Sequence, residues 1–439
     1  MKSLMRPGRA EAMVSYPDLS CEYPCSWDQN ERLTSARAQT KERDKVAKAW
    51  FVDDNTRLED IAAAWREVIV RHPSLRVAFT QHRQGYWTQR VLPCEAVESW
   101  CTVVEEATEE QLSTLRAHVG LHTGQLFSVA LVRRTNGLEV HFTVDHICID
   151  SRSLTVIVDE WSRFIDNGPP TVREVDDKFL RFCLKRAPSP EVLRQTLEEE
   201  ARAPAKSFPP YAQAPLSLSE NAGRYQLEAA KVKIPWTGFS FDARTCAAGI
   251  GPALLASGLD SLHGTQPGLT TEYPMIGVLL GRNSLEYDQS VGPFSSWFML
   301  SVPVGPDGLA TRARKVHGRL LNAVRRPPTP FALETAIRVN NLVAARNRPY
   351  HQSPRYLYAN HLMPTRDLTV SGKAARAIAL DGGLRGYGLA RALSRSWEDG
   401  LELEFTARAD LLSTGVTEYL VRHALEQSRS EAMATVEAR

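Results

Sequence analysis

The segment His141-Phe-Thr-Val-Asp145-His146-Ile-Cys-Ile-Asp150-Ser151-Arg-Ser153 gathers the residues best suited to chemistry. It sets a histidine at the end of a strand-like run and a carboxylate four residues later, just before a helical pattern. An imidazole in such a turn titrates near neutrality and can take a proton from an incoming amine or hydroxyl. A nearby carboxylate can fix the same loop through an ion pair. A second reading stands beside this one: His146 continues the parity of Val140, Phe142 and Val144, so it also suits a core histidine with satisfied ring nitrogens. Spacing alone leaves both open.

The elements that must hold the segment follow from periodicity. Leu138, Val140, Phe142 and Val144 alternate with Glu139, His141, Thr143 and Asp145, which predicts a strand running into the motif. Asn136-Gly137 before it suits a hairpin turn from a strand over 126–132. Beyond it, Leu154, Ile157, Val158, Trp161 and Phe164 or Ile165 recur at helical spacing until Asn167-Gly168-Pro169-Pro170 stops the helix. Upstream, Thr56 with Glu59 predicts a capping box opening a helix with the stripe Leu58, Ile61, Ala62, Trp65, Val68 and Ile69, which ends near His72-Pro73. Thr108 with Gln111 predicts a second box, and residues 86–91 a strand. Residues 201–213, rich in Pro, Ala and Ser, read as a surface loop. The tail reads as an alternating strand (Leu401, Leu403, Phe405) followed by a helix over 414–427. Strands and helices mix in both halves, so the expected class is α+β. The stop at 167–170 suggests a boundary, giving lobes over 1–175 and 176–439.

Composition narrows the partners. At 439 residues, 43% hydrophobic and 24% charged, the chain is long enough for two or three units with cores of their own. Its 53 basic and 51 acidic residues are well mixed and sum to +2, which leaves no electrostatic footprint for nucleic acid or an anionic membrane. No apolar run approaches the roughly 18 residues of a membrane span, and the first twenty show no signal-peptide pattern, so a cytoplasmic protein is expected. The seven cysteines (Cys21, Cys25, Cys94, Cys101, Cys148, Cys183, Cys246) lack CxxC pairs and histidine neighbours, and read as reduced thiols with no metal site.

His146-Ile-Cys-Ile-Asp150, followed by Ser151-Arg-Ser153, resembles the HxxxD core of chloramphenicol acetyltransferase-like enzymes, and most closely the HHxxxDG signature of nonribosomal peptide synthetase condensation domains. Asp145 stands where that signature has its first histidine, and Ser151 where it has glycine. Three more segments fall in the family's order. Pro24-Cys-Ser-Trp-Asp-Gln29 resembles its opening motif, Arg71-His-Pro-Ser-Leu-Arg76 the end of its first helix, and Gly281-Arg282 with Val291-Gly292-Pro-Phe294 its glycine-arginine and glycine-phenylalanine segments.

The resemblance implies two acetyltransferase-like lobes, a pseudo-dimer forming a V around a central tunnel, with His146 as base and Asp150 paired to Arg282 across the lobes. It places Asp145, Ser151, Ser153 and Trp297 near the substrates, although a serine at the start of a helix is first of all a cap. It implies no tightly bound cofactor. The donor would be the phosphopantetheine thioester of an acyl or peptidyl carrier protein, or coenzyme A, and the acceptor a small amine or alcohol. The expected protein is thus a freestanding, monomeric acyltransferase of natural-product biosynthesis. A coenzyme A- or carrier-dependent O-acyltransferase similar to polyketide-associated proteins and an inactive condensation-like recruitment protein are the alternatives. The basic stretch Arg312, Arg314, Lys315, Arg319, Arg325 and Arg326 suits either an acidic carrier or a solvated helix face, and His351 and His361 suggest no role.

Overall fold

The computed structural model describes residues 21–26, 28–30, 32–33, 45–53, 56–82, 87–121, 123–171, 174–186, 227–263, 272–280, 282, 285–325, 357–362, 367–378, 380, 389–409, 412 and 414–437. The chain divides into two compact units. The first holds residues 1–195, 282–295 and 365–381, and the second holds 196–281, 296–364 and 382–439. The first unit is therefore not one continuous segment: it takes two pieces of chain from beyond residue 195.

In the first unit the motif strand, Gly137–Asp145, lies at the centre of a five-stranded sheet. Lys45–Asp53 and Phe127–Arg134 flank it antiparallel, with Arg376–Ala377 and Cys101–Val104 at the edges. The expected hairpin is present, pairing Arg134 with Gly137. Gly137 sits at φ +152, where a Cβ would meet the Val52 carbonyl at 2.4 Å, so the turn needs glycine. Leu138, Val140, Phe142 and Val144 point into the main core. The alternate face is buried as well, with His141 at 5%, Thr143 at 2% and Asp145 at 2% exposure. Its neighbours there include the small cluster of Ala107, Leu112, Ala130 and Val132 beside the helix Glu109–His118. The polar half of the alternation is thus a second buried layer rather than a wet face.

Two helices, Leu58–Arg71 and the motif helix Ser151–Asn167, pack on each other through Trp65 and Trp161, whose rings are 4.9 Å apart. Trp65 also meets Phe127 and Phe142 edge-on at 5.2 and 5.3 Å, which ties the helix pair to the motif strand. The Thr108–Gln111 capping box is formed. The box expected at Thr56 is not: the helix begins at Leu58 with Arg57 as an N-cap lacking a side-chain bond. Thr56 therefore stands one residue too early, and Glu59 and Asp60 in the first turn offset the helix dipole instead. A separate antiparallel sheet joins Glu22–Pro24, Trp87–Val91 and Val77–Gln81.

The second unit has a six-stranded mixed sheet, ordered Ser295–Pro303, Glu272–Leu280, Leu357–Leu362, Ala390–Ser396, Gly400–Arg408 and Leu227–Pro235. The helices Ala247–His263, Leu309–Arg325 and Val416–Glu437 complete it. Leu254, Leu255, Leu259, Leu357, Leu403 and Phe405 are among its fully buried residues. The basic stretch lies on Leu309–Arg325 and is not uniformly solvated: Arg312 is buried and donates to Gln427, and Arg319 donates to the Ser301 carbonyl. Arg314 and Lys315 are exposed, while Arg326 falls outside the described residues. His361 lies on a strand and bonds to the hydroxyls of Ser394 and Ser396, at 2.8 and 3.3 Å; His351 and the loop expected over 201–213 lie outside the described residues. Among the described residues, no helix is long and apolar enough to cross a membrane. None of their His, Cys, Asp and Glu side chains form a group of three suited to a metal.

Candidate active site

The motif strand ends at Asp145, and the next four residues form a tight loop into the motif helix. Asp145 shapes that loop. Its Oδ1 accepts from the Ile147 N–H at 2.9 Å, its carbonyl accepts from Cys148 N–H at 3.2 Å, and its own N–H donates to the Leu126 carbonyl at 2.8 Å. Ile147, Cys148 and Ile149 are buried, at most 1% exposed, so the loop is anchored from below by its apolar residues. His146 is the one residue between them and the strand that remains partly exposed. Its Nδ1 is buried and has no hydrogen-bond partner among the described residues. His72, His141, His361 and His423 each have a bonded ring nitrogen. The reading of His146 as a satisfied core histidine finds no partner for Nδ1 among the described residues.

Asp150 closes the loop as the N-cap of the motif helix and is 2% exposed. Its Oδ1 accepts from the Ser153 N–H at 2.8 Å, and the reciprocal bond runs from the Asp150 N–H to Ser153 Oγ at 3.3 Å. Arg282 grips the carboxylate as a fork, Nε to Oδ2 at 3.1 Å and Nη2 to Oδ1 at 2.8 Å. Its remaining donors reach Ser153 Oγ at 2.8 Å, the Ser290 carbonyl at 2.7 Å and the Tyr287 carbonyl. All five guanidinium N–H groups are thus used, and the plane lies 4.4 Å over the Phe294 ring. A buried carboxylate without this cation would carry a large desolvation cost. Arg282 and the segment to Ser295 belong to the first unit, so this pair is internal to it and does not bridge two units as expected.

The segment from Leu285 to Ser295 forms a strap across the motif helix. Gly292 exchanges bonds with Ser153: its N–H donates to Oγ at 3.0 Å, and its carbonyl lies 2.9 Å from the same hydroxyl. A Cβ on Gly292 would stand 2.3 Å from Cγ of Phe179, so the strap's approach needs glycine there. Arg152 holds Asp288 at 2.7 Å, and Ser74 donates to the Val291 carbonyl at 2.7 Å. Asp145 and Ser153, expected at the substrates, are therefore occupied in building the loop and the cap. Ser151, at the first turn of the motif helix, is half-buried. Trp297 lies on the strand Ser295–Pro303, and its side chain falls outside the described residues.

The opening motif singled out in the sequence braces this loop through contacts that the sequence did not show. Ser26 and Gln29 form a reciprocal box, Ser26 N–H to Gln29 Oε1 at 2.9 Å and Gln29 N–H to Ser26 Oγ at 3.2 Å. Gln29 then reaches Gln89 at 3.0 Å and the Ile147 carbonyl at 3.4 Å, so the opening motif supports the floor of the His146 loop. The signal was available, since Ser-x-x-Gln is a capping-box pattern. Glu160 and Asp176, which flank the buried His72, carried no such signal.

The family model for the condensation domain matches residues 23–183. Over that stretch the chain is similar to a condensation domain. The matched stretch runs from the Ser26–Gln29 box through the His146 loop to Cys183. Among curated proteins, the nonribosomal peptide synthetase dtxS1 of Metarhizium robertsii is 31% identical over 114 residues, a quarter of this chain and 1% of that protein. Malformin synthetase mlfA of Aspergillus sclerotiicarbonarius is 26% identical over 161 residues, 35% of this chain and 3% of that one. The chain thus aligns with only a small part of the length of these relatives. Solved structures extend the likeness to the whole fold. A starter condensation domain of rhizomide synthetase, in a complex with C8-CoA, has a TM-score of 0.67 at 16% identity over 93% of this chain and 95% of that one. The X-domain of teicoplanin biosynthesis, in a complex with OxyB, has 0.66 at 16% identity over 98% and 97%. The condensation domain of the monacolin K polyketide synthase MokA has 0.66 at 11% identity over 94% and 98%. The α+β architecture of this chain is the condensation-domain fold.

Proposed function

We propose that the chain is an acyltransferase that moves an acyl or aminoacyl group from a carrier-protein thioester to an amine or alcohol, forming an amide or ester. Condensation domains form amide bonds by acyl transfer, which supports the reading. The observation that carries the reading is the pairing of a locked Asp150 with a His146 whose buried Nδ1 has no partner among the described residues, on the same five-residue loop. In this scheme an imidazole nitrogen of His146 takes the proton of the acceptor as its nitrogen or oxygen attacks the thioester carbonyl. The thiolate of the donor leaves, and the proton held on His146 is returned to it. Asp150, neutralised by Arg282, does not touch the reacting atoms; it holds the loop so that His146 need not reorganise. The base is expected to contribute about 10²–10⁴-fold.

Two other readings have specific support. The C8-CoA held by the rhizomide starter domain favours a coenzyme A thioester as an alternative donor, as in the O-acyltransferase reading. The X-domain in its complex with OxyB, together with Asp145 and Ser151 in place of the signature histidine and glycine, favours a recruitment protein. Intact-mass detection separates the three. Carrier-loaded and coenzyme A thioesters are offered with pooled amines and alcohols to the wild type and to His146→Ala. Product from the wild type and a drop of at least about 10²-fold in the variant supports the base. Equal turnover by both removes His146 from the chemistry. Absence of turnover with tight binding to a partner protein favours recruitment.

A further inference from the structure

The strap that holds Arg282 is itself held by a charged cluster with no place in the HxxxD motif. His72 follows the helix Leu58–Arg71 directly and is fully buried. Its Nε2 lies 2.7 Å from Oε2 of Glu160 on the motif helix, and its Nδ1 lies 3.3 Å from Oδ2 of Asp176. Arg71 pairs with the other Glu160 oxygen at 2.9 Å, and Arg163 stands 3.7 Å from it. Lys178 adds positive potential at Asp176. Burial alone would lower the His72 pKa, but the adjoining Asp176 and Glu160 carboxylates outweigh it and raise it.

The cluster faces the strap through one side chain. Ser290, fully buried, donates from Oγ to Asp176 Oδ1 at 3.1 Å, while its carbonyl accepts from Arg282 Nη1 at 2.7 Å. Asp176 is fixed from the other side by its own N–H, which donates to the Arg71 carbonyl at 2.7 Å. A contiguous path therefore runs from His72 through Asp176 and Ser290 to Arg282, and from Arg282 into the Asp150 carboxylate. Every member lies in the first unit.

We propose that His72, Asp176 and Ser290 are positioning residues for the His146 loop: Asp176, oriented by His72, sets the register of Ser290, and the Ser290 carbonyl sets the plane of the Arg282 guanidinium on Asp150. The strap's other ties, Arg152 to Asp288 and Ser74 to Val291, hold it to the unit but do not touch Arg282. For its catalytic consequence this rests on the acyltransferase reading; its structural consequence does not.

The test uses Ser290→Ala, Asp176→Asn and the double variant in the full chain, read by amide hydrogen exchange over 285–295 and by steady-state kinetics. Ser290→Ala breaks the link and leaves the His72 cluster intact. Loss of a hydrogen bond to a carboxylate should speed exchange of the strap by about tenfold or more, with the rest of the first unit unchanged. The double variant should exceed neither single by more than about twofold, because both cut one link. In the acyl-transfer assay kcat should fall with KM unchanged, since Arg282 meets neither substrate. Unaltered strap exchange in Ser290→Ala overturns the proposal, as does acceleration spread evenly over the unit or additive effects in the double variant. Should the wild type transfer no acyl group, the exchange arm still decides the positioning role, and only the acyltransferase reading fails.

Discussion

Replacing Arg282 by lysine keeps the charge and removes the geometry, which makes it the sharpest probe of the site. Arginine satisfies five acceptors here: both Asp150 oxygens, Ser153 Oγ, and the carbonyls of Tyr287 and Ser290. An ammonium has three N–H groups on one nitrogen and cannot span the Asp150 fork and the strap carbonyls together. At least two buried acceptors then lose their donor, and the contact with the Phe294 ring is lost as well. At about 1–1.5 kcal/mol per neutral bond and more for the charged ones, Arg282→Lys should cost about 2–4 kcal/mol. Arg282→Ala, which leaves Asp150 buried and unpaired, should cost about 3–5 kcal/mol. The buried tryptophans Trp50, Trp65 and Trp161 report first-unit unfolding by fluorescence. For a unit of this size the lysine loss is a fall of about 5–15 °C in the corresponding transition. Side-chain exposures of 5% and 1% place the pair beyond effective screening, so 0.5 M salt should leave the difference between wild type and variant intact. A lysine variant within 2 °C of wild type, or a difference that collapses in salt, would refute the claim that this fork holds the loop.

Three further outcomes follow from named contacts. His146→Ala should leave the melting temperature within about 2 °C, because its buried Nδ1 has no hydrogen bond among the described residues to lose, while acyl transfer falls by about 10²–10⁴-fold; calorimetry beside the mass assay checks the separation. Gly292→Ala forces a methyl against the buried Phe179 ring and should cost about 1–3 kcal/mol by urea denaturation, with strap exchange accelerated. The raised pKa of His72 predicts the sign of a pH effect. Its pairing contributes fully below the unfolded value of about 6.5 and is lost as pH rises through the raised folded value. Melting temperature from pH 6 upward should therefore fall more steeply in wild type than in His72→Gln, and parallel curves would contradict a raised pKa for His72.

Local pattern alone reached the motif strand, its hairpin, the motif helix and its stop at Gly168, because each depends on periodicity or on turn residues adjacent in sequence. The same logic singled out His146 and Asp150 without deciding their roles, and only the resemblance to the condensation signature implied Arg282. The misplaced cap at Thr56 shows the limit of such reasoning: a capping box needs a helix start, and a one-residue shift in that start removes it.

What the sequence by itself determined was the set of candidate groups and the strand and helix that present them. Whether His146 was bonded or bare, and whether Ser153 capped a helix or met a substrate, required knowing which chain lies above them. Only tertiary structure brought the strap of 285–295 into the first unit, where Arg282 uses every donor and Gly292 reaches Ser153. His72, Glu160 and Asp176 are 88 and 104 positions distant in pairing, and no spacing rule relates them. Burial is the physical reason: a carboxylate or imidazole far from water must find a partner, and the fold rather than the local sequence decides which one comes within reach.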